Sequence, residues 1–397
     1  MPDTLTPEKA FEEARAMEAN IVKLARDLIA CDTRNPPGEE HRAAVVVERE
    51  LDRLGVPHER LEKEPGRSNV IGRVGRAGAP RLLVPLHLDT VPPASGWETD
   101  PFEAVVRDGR ITGLGADDDK GPLAAALAAT AILKAREAEL AGEFVLVAAA
   151  DEECGNALGA HWLLDEKGLA GDWGIVPDTD AGIDIAEKGA TWFEVVCRGR
   201  AAHASRPEEG ASAIAAACDL VGRLEGYAFE HESHAVLSAP TINIGLIKGG
   251  SAPNAVPDRC TFSVDVRYLP GMTRDGVRAE IERAAAGVAS RRPGVSFEIK
   301  AGGDLAPSEA HPAGRLLEAM QWAYAGVHGK PPRLFGMGGV TIAKALIQRG
   351  VDAVGSGAGG GPAHGANESV EIEALVRFAA VLASAAYRLL AEGGADG

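Results

Sequence analysis

Three aspartates in a row, Asp117, Asp118 and Asp119, end the short approach ITGLGA, and Lys120 follows at once. Two glutamates, Glu152 and Glu153, follow Asp151 directly after the apolar run EFVLVAAA. His87 ends RLLVPLH with Asp89 two residues on, Asp178 follows GIVP, and His364 follows the glycine-rich end of VDAVGSG. Each group stands just past what reads as a strand end. In an open α/β sheet that is where ligands bind, so these side chains should converge on one rim. Acids so crowded need a counter-charge, and no arginine cluster supplies it; a pair of divalent cations would. Imidazole with carboxylate suits zinc, with cobalt or manganese as substitutes. Two such ions typically sit ~3.5–4 Å apart and share a bridging ligand and a water whose pKa falls to roughly 7, so that it attacks a carbonyl at neutral pH. One carboxylate of the aspartate cluster is placed to bridge.

The elements that must hold these residues read as alternating strands and helices. Thr6-Pro7 is a helix start, a cap residue followed by proline at the first helical position, and AFEEARAMEANIVKLARDLI continues it. HRAAVVVERELDRLG follows as a helix, then strands in SNVIGRV and RLLVPLH, a helix from about Gly121 to Leu140, and strands in EFVLVAAA and DWGIVPD. Continuous apolar strands between helices predict an α/β fold with a mostly parallel sheet flanked by helices. From residue 190 the pattern changes to β-α-β-β-α-β. In TFSVDVRYL, Phe262, Val264 and Val266 alternate with Ser263, Asp265 and Arg267, and the next helix spaces Val277, Ile281, Ala284 and Val288 by four, three and four. Residues 190–300 therefore read as an inserted α+β ferredoxin-like domain, and 1–189 with 301–397 as a discontinuous metal-binding domain.

The 397 residues favour two domains. A net charge of −17 argues against nucleic acid and anionic membranes as partners. The N-terminus has no apolar signal-peptide core, and no charge-free stretch has the length a bilayer needs. Five cysteines without C-x-x-C read as a reduced, cytoplasmic protein. Cys154 reads as a small buried filler and Lys120 as structural or surface.

HLDTV, GADDDKG, DEECG, VPD and AHGANE, in that order, resemble the dizinc amidohydrolases and peptidases that include acetylornithine deacetylase, succinyl-diaminopimelate desuccinylase, glutamate carboxypeptidase and aminoacylase. The resemblance covers nearly the whole chain and rests on five ordered motifs; no one of them carries it. It implies that His87 and Asp178 hold one metal, Glu153 and His364 the other, and that Asp118 bridges them, with a cis peptide between Asp118 and Asp119. It implies that Asp89 accepts the imidazole N–H of His87 and fixes its tautomer, and that Glu152 is the general base. By the same resemblance the inserted domain is a lid through which the chain forms a homodimer. RAAHASRPEEG brings His203 across that dimer to the oxyanion. GGSAPNAVPD and DVRYLPG put Asn254 and Arg267 on the substrate, Arg267 as a fork for a free carboxylate.

Two positions depart from the family. Many members that cleave acylated diamino acids carry Gly-Gly-Thr-Asp, whereas FGMGGVTIAKAL offers Thr341 as the hydroxyl one residue out of step. Asp178 stands where many members have glutamate. Both leave the metal chemistry intact and the substrate open. GSGAGG at 355–360 fits G-x-G-x-x-G, but Gly361-Pro362-Ala363-His364 continues as loop where a dinucleotide site needs a helix N-terminus. The expectation is hydrolysis of an amide or peptide bond in a small substrate with a free carboxylate: an N-acyl amino acid, a dipeptide or a folate-like glutamyl conjugate. The rivals are a dizinc aminopeptidase, which needs a free substrate amine, and a non-catalytic binding relative, which would have lost the base or ligands that here are all present.

Overall fold

The computed structural model describes residues 4–78 and 80–391, so the first three residues of the stretch read for a signal peptide lie outside it. Two compact units divide the chain. One runs through Ile185, includes Ala310–Phe335 and resumes at Thr341; the other holds Ala186–Glu309 and Gly336–Val340.

The first unit is built on one large sheet. Strands Glu143–Ala149, Arg81–His87, Trp173–Ala181 and Asp352–Gly357 lie side by side in that order, all parallel. Every residue of Glu143–Ala149 is buried, as a strand covered on both faces requires. Antiparallel strands extend the sheet, Ser68–Gly75 and His58–Glu62 on one side and Ile183–Glu187 on the other. Only the outermost pair, His58–Glu62 with Ser68–Gly75, is joined by a short connection of the kind antiparallel strands allow.

Helices Lys120–Lys134, Arg315–His328 and Ile372–Ala391 pack together against the sheet. Lys120–Lys134 is buried nearly all round, which is why its alanine and leucine content shows no polar stripe. Ile372–Ala391 is the one helix among the described residues long and apolar enough to cross a membrane, and 78% of its apolar window is buried inside the protein. The continuous N-terminal helix expected from sequence is two helices, Pro7–Ala16 and Glu18–Ile29, broken at Met17. No proline or glycine marks that break. Thr6 caps the first helix by accepting the Lys9 N–H, as its position predicts.

A small second sheet, absent from the sequence reading, orders Gly360–Gly361, Ser369–Glu371, Arg110–Thr112 and Val105–Arg107. Ser369 pairs with Thr112 and Val370 with Ile111. This ties the loop carrying His364 to the approach of the three aspartates.

In the second unit the elements run β-α-β-β-α-β: Gly189–Arg198, Ala213–Leu224, Thr241–Gly249, Arg259–Tyr268, Arg274–Ala289 and Ser296–Leu305. The sheet is antiparallel, with Thr241–Gly249 at one edge and Ser296–Leu305 at the other. Cys260, Phe262, Val264, Val266 and Tyr268 alternate inward and join Val277, Ile281 and Val288 in a separate core. The unit runs past 300 because its last strand, after a register shift between Ala301 and Asp304, stays paired with the first as far as Leu305 opposite Ala190.

Candidate metal centre

Asp118 lies between two imidazoles, its Oδ1 2.8 Å from His87 Nε2 and its Oδ2 3.1 Å from His364 Nε2. His364 Nε2 is also 3.2 Å from Glu153 Oε2. The ligand atoms of His87, Asp118 and Glu153 fall within 4.8 Å of one another, and so do those of His87, Glu152 and Asp178. Six residues thus meet on one rim: His87 at the end of its strand, Glu152 and Glu153 just past theirs, Asp178 within Trp173–Ala181, Asp118 in the turn before helix Lys120–Lys134, and His364 in a loop. Buried Glu153 Oε1 and Asp119 Oδ1 have no hydrogen-bond partner. Unpartnered carboxylate oxygens beside two imidazoles form a donor set that fits divalent cations.

The three aspartates divide the work. Asp118 faces the histidines, and the peptide bond to Asp119 is cis. Asp119 Oδ2 accepts the backbone N–H of His87 at 3.2 Å. Asp117 lies against Gly360, where an added Cβ would stand 2.5 Å from its Oδ1. That close approach, not a nucleotide, accounts for the glycine there. His364 follows with a positive φ of 61°.

His87 Nδ1 is 2.9 Å from the Asp89 carbonyl oxygen but 3.6 Å from the carboxylate. Asp89 is thus placed to receive the ring N–H through its backbone carbonyl. The Asp89 carboxylate accepts the N–H groups of Glu152 and Glu153 instead, at 3.1 and 3.2 Å. It fixes the turn that presents both glutamates.

Burial and charge crowding together set the electrostatics. Burial raises the Asp178 and Asp119 carboxyls well above the usual range, and Asp118 and Glu152 push them further. Burial likewise lifts Glu152 to about 7, aided by Glu153, Asp89 and Asp118 against the opposing pull of His87. Asp118 is the exception: burial would raise it, but His364 and His87 outweigh that and hold it low. His364 is raised to about 10 by its bonds to Asp118 and Glu153. Burial pulls His87 down, yet Asp118 and Asp89 carry it well above 6.5. His364 is thus cationic at pH 7 without metal. As a metal ligand it would have to be neutral, so loading at pH 7 should release protons, and apparent affinity should rise as pH increases toward 10. Calorimetry in buffers of different ionisation enthalpy measures that release; none at pH 7 would contradict the ligand set.

The sequence pattern of peptidase family M20/M25/M40 matches residues 83–388. The chain belongs to that family. It is 31% identical to the succinyl-diaminopimelate desuccinylase of Acidiphilium cryptum over 343 residues, 82% of this chain and 87% of that one. The aminopeptidase PepT of Bacillus cereus superimposes with a TM-score of 0.76 at 23% identity, covering 94% of this chain and 98% of that one. A dinuclear metal-binding peptidase of the M20 family from Bacillus subtilis gives 0.73 at 21% identity, covering 95% and 99%. This M20 chain is a metal-dependent hydrolase of amide or peptide bonds.

Behind the candidate ligands of this M20 chain lies a buried network that sequence reasoning missed. Asn35 Nδ2 donates to Asp89 Oδ2 at 2.9 Å and to Asp151 Oδ1 at 3.1 Å, separating two carboxylates. Arg67 clasps Glu40 with two bonds of 2.7 Å and reaches Asp151 at 3.1 Å. Glu40 is 0% exposed. Arg67→Met would strand its charge and should cost about 3–5 kcal/mol, read as a lower urea midpoint; an unchanged midpoint would show that Glu40 does not need the pair. Asn35, Glu40 and Arg67 do not follow a strand end, so nothing in the spacing marked them. Lys120 is wholly buried, donating to the Cys31 carbonyl at 2.7 Å, and burial lowers it to about 8. Cys154 is exposed rather than a buried filler.

His203, Asn254 and Arg267 belong to the second unit. His203 is exposed, with Nδ1 2.8 Å from Ser205 Oγ, and the Asn254 carbonyl accepts the Ala204 N–H at 3.1 Å. Arg267 is engaged by Asp265 at 2.9 and 3.2 Å, and Asp265 also accepts the Trp192 indole N–H. Thr341 is buried, and its hydroxyl accepts the Ala343 N–H to cap helix Ile342–Ile347.

Proposed function

We propose that this enzyme cleaves the amide bond of a small N-acyl amino acid or dipeptide bearing a free carboxylate, using two zinc ions. The placement of Asp118, one oxygen toward each histidine, carries the reading. His87 and Asp178 would hold one ion, Glu153 and His364 the other, and Asp118 both. Cobalt or manganese would substitute. When bound, the ions polarise the scissile carbonyl and make water nucleophilic at neutral pH.

The chain's own residues supply the rest. Glu152, with a carboxyl near 7, takes a proton from the attacking water and returns it to the leaving amine. Asn156 Nδ2, 3.3 Å from Glu152 Oε1, orients that carboxyl. His203 stabilises the oxyanion from a partner subunit, and Asn254 and Thr341 contact the substrate. Arg267, aligned by Asp265, turns its remaining N–H groups to the substrate carboxylate. The homodimer forms through the second unit. Its edge strand Thr241–Gly249 leaves Leu246 and Ile247 71% and 52% exposed, apolar surface that a second copy would cover. Free cysteines and net negative charge suit a cytoplasmic enzyme of small molecules.

Hydrolysis of N-acetyl and N-succinyl amino acids and of blocked and unblocked dipeptides tests the substrate class. Turnover of N-blocked substrates with a free carboxylate is expected. Turnover restricted to substrates with a free amine would replace this reading with an aminopeptidase.

A further inference from the structure

Glu368 lies four residues beyond His364 and is 1% exposed. Its carboxylate accepts three backbone N–H groups from the aspartate turn: Oε2 takes Gly115 at 3.0 Å, and Oε1 takes Asp117 at 2.8 Å and Asp118 at 3.0 Å. The Glu368 carbonyl accepts a fourth, from Gly113 at 3.0 Å. A buried carboxylate is costly unless its oxygens are satisfied, and here both are spent on one turn. Asp118 and His364 sit on segments about 250 residues apart, and Glu368 bonds the first while sharing a short loop with the second.

We infer that Glu368 is a positioning residue. It holds the Asp118 backbone at a fixed distance from the His364 loop, and so sets the separation of the two halves of the metal centre. The inference rests on Asp118 and His364 being ligands. Residues that orient metal ligands without touching the ion typically carry about 10–100-fold in metal affinity.

Metal-free wild type, Glu368→Ala and Glu368→Gln are titrated with Co2+, following heat and the visible cobalt absorption, with kcat and KM measured on the reloaded proteins. Alanine removes the whole cradle. Glutamine fills the same space, yet whichever way its amide turns, an N–H faces a backbone N–H. Wild type should bind two equivalents. Glu368→Ala should bind at least one of them about 10–100-fold more weakly, with an altered cobalt spectrum and a fall in kcat that exceeds any change in KM. Glu368→Gln should shift the same quantities in the same direction by less, and it carries the test alone if the alanine variant does not fold. Two equivalents bound by wild type with unchanged affinity and spectrum in the glutamine variant would overturn the positioning role while leaving the ligand assignment standing. Wild type that binds no cobalt would overturn both.

Discussion

Glu152→Gln is expected to lower kcat by about 10²–10⁴-fold while leaving metal stoichiometry and fold intact. That range is what a positioned general base contributes, and it corresponds to about 3–5 kcal/mol of barrier. Glutamine matches glutamate in size and can keep the contact that Asn156 makes at 3.3 Å, so packing should change little. What it loses is the ability to hold a proton. Burial and neighbouring acids bring the Glu152 carboxyl to about 7, where it both accepts and gives up a proton readily near neutral pH. The measurement is steady-state kinetics beside metal analysis of the same preparation. Near-wild-type turnover with two metals bound would remove Glu152 from the proton path.

Asp118→Asn is expected to go further, because Asp118 is the residue placed to serve both ions. The carboxylate now offers one oxygen to the His87 side and one to the His364 side. An amide offers one oxygen and one NH2 group, which cannot ligate a cation. Metal affinity should fall by more than the about 10–100-fold typical of residues that only orient ligands, and turnover should approach that of chelated protein. The proton balance should change as well. His364 owes its raised pKa first to Asp118, so its pKa should drop from about 10 toward that of an ordinary imidazole. A histidine titration by NMR on the metal-free variant measures that drop independently of activity.

The rim of the site was readable because its residues obey a positional rule. His87 ends, and the Glu152–Glu153 pair stands just past, a mostly buried parallel strand whose continuous apolar character is itself a sequence signal. The βαββαβ unit was readable because strict alternation in Arg259–Tyr268 reports one buried face. What escaped the sequence was long-range pairing. The little sheet that joins Ser369–Glu371 to Arg110–Thr112 is made of strands too short to show a period. Asn35, Arg67 and Glu368 act through bonds to residues distant in sequence, and composition carries no trace of those partners. Two local cues went unused. Thr341 directly before IAKALI is a helix-cap signal. Asp265 and Arg267 share one strand face by their spacing of two, which foreshadows their ion pair.

The central claim is a pair of metal ions joined through Asp118. Titrating the metal-free protein with Co2+, with absorption and low-temperature EPR at each step, tests it most directly. Two equivalents should bind per chain, and the EPR signal of the first should diminish as the second enters, because ions held by a shared Asp118 would be close enough to couple. Saturation at one equivalent, or two equivalents whose signals simply add, would contradict it.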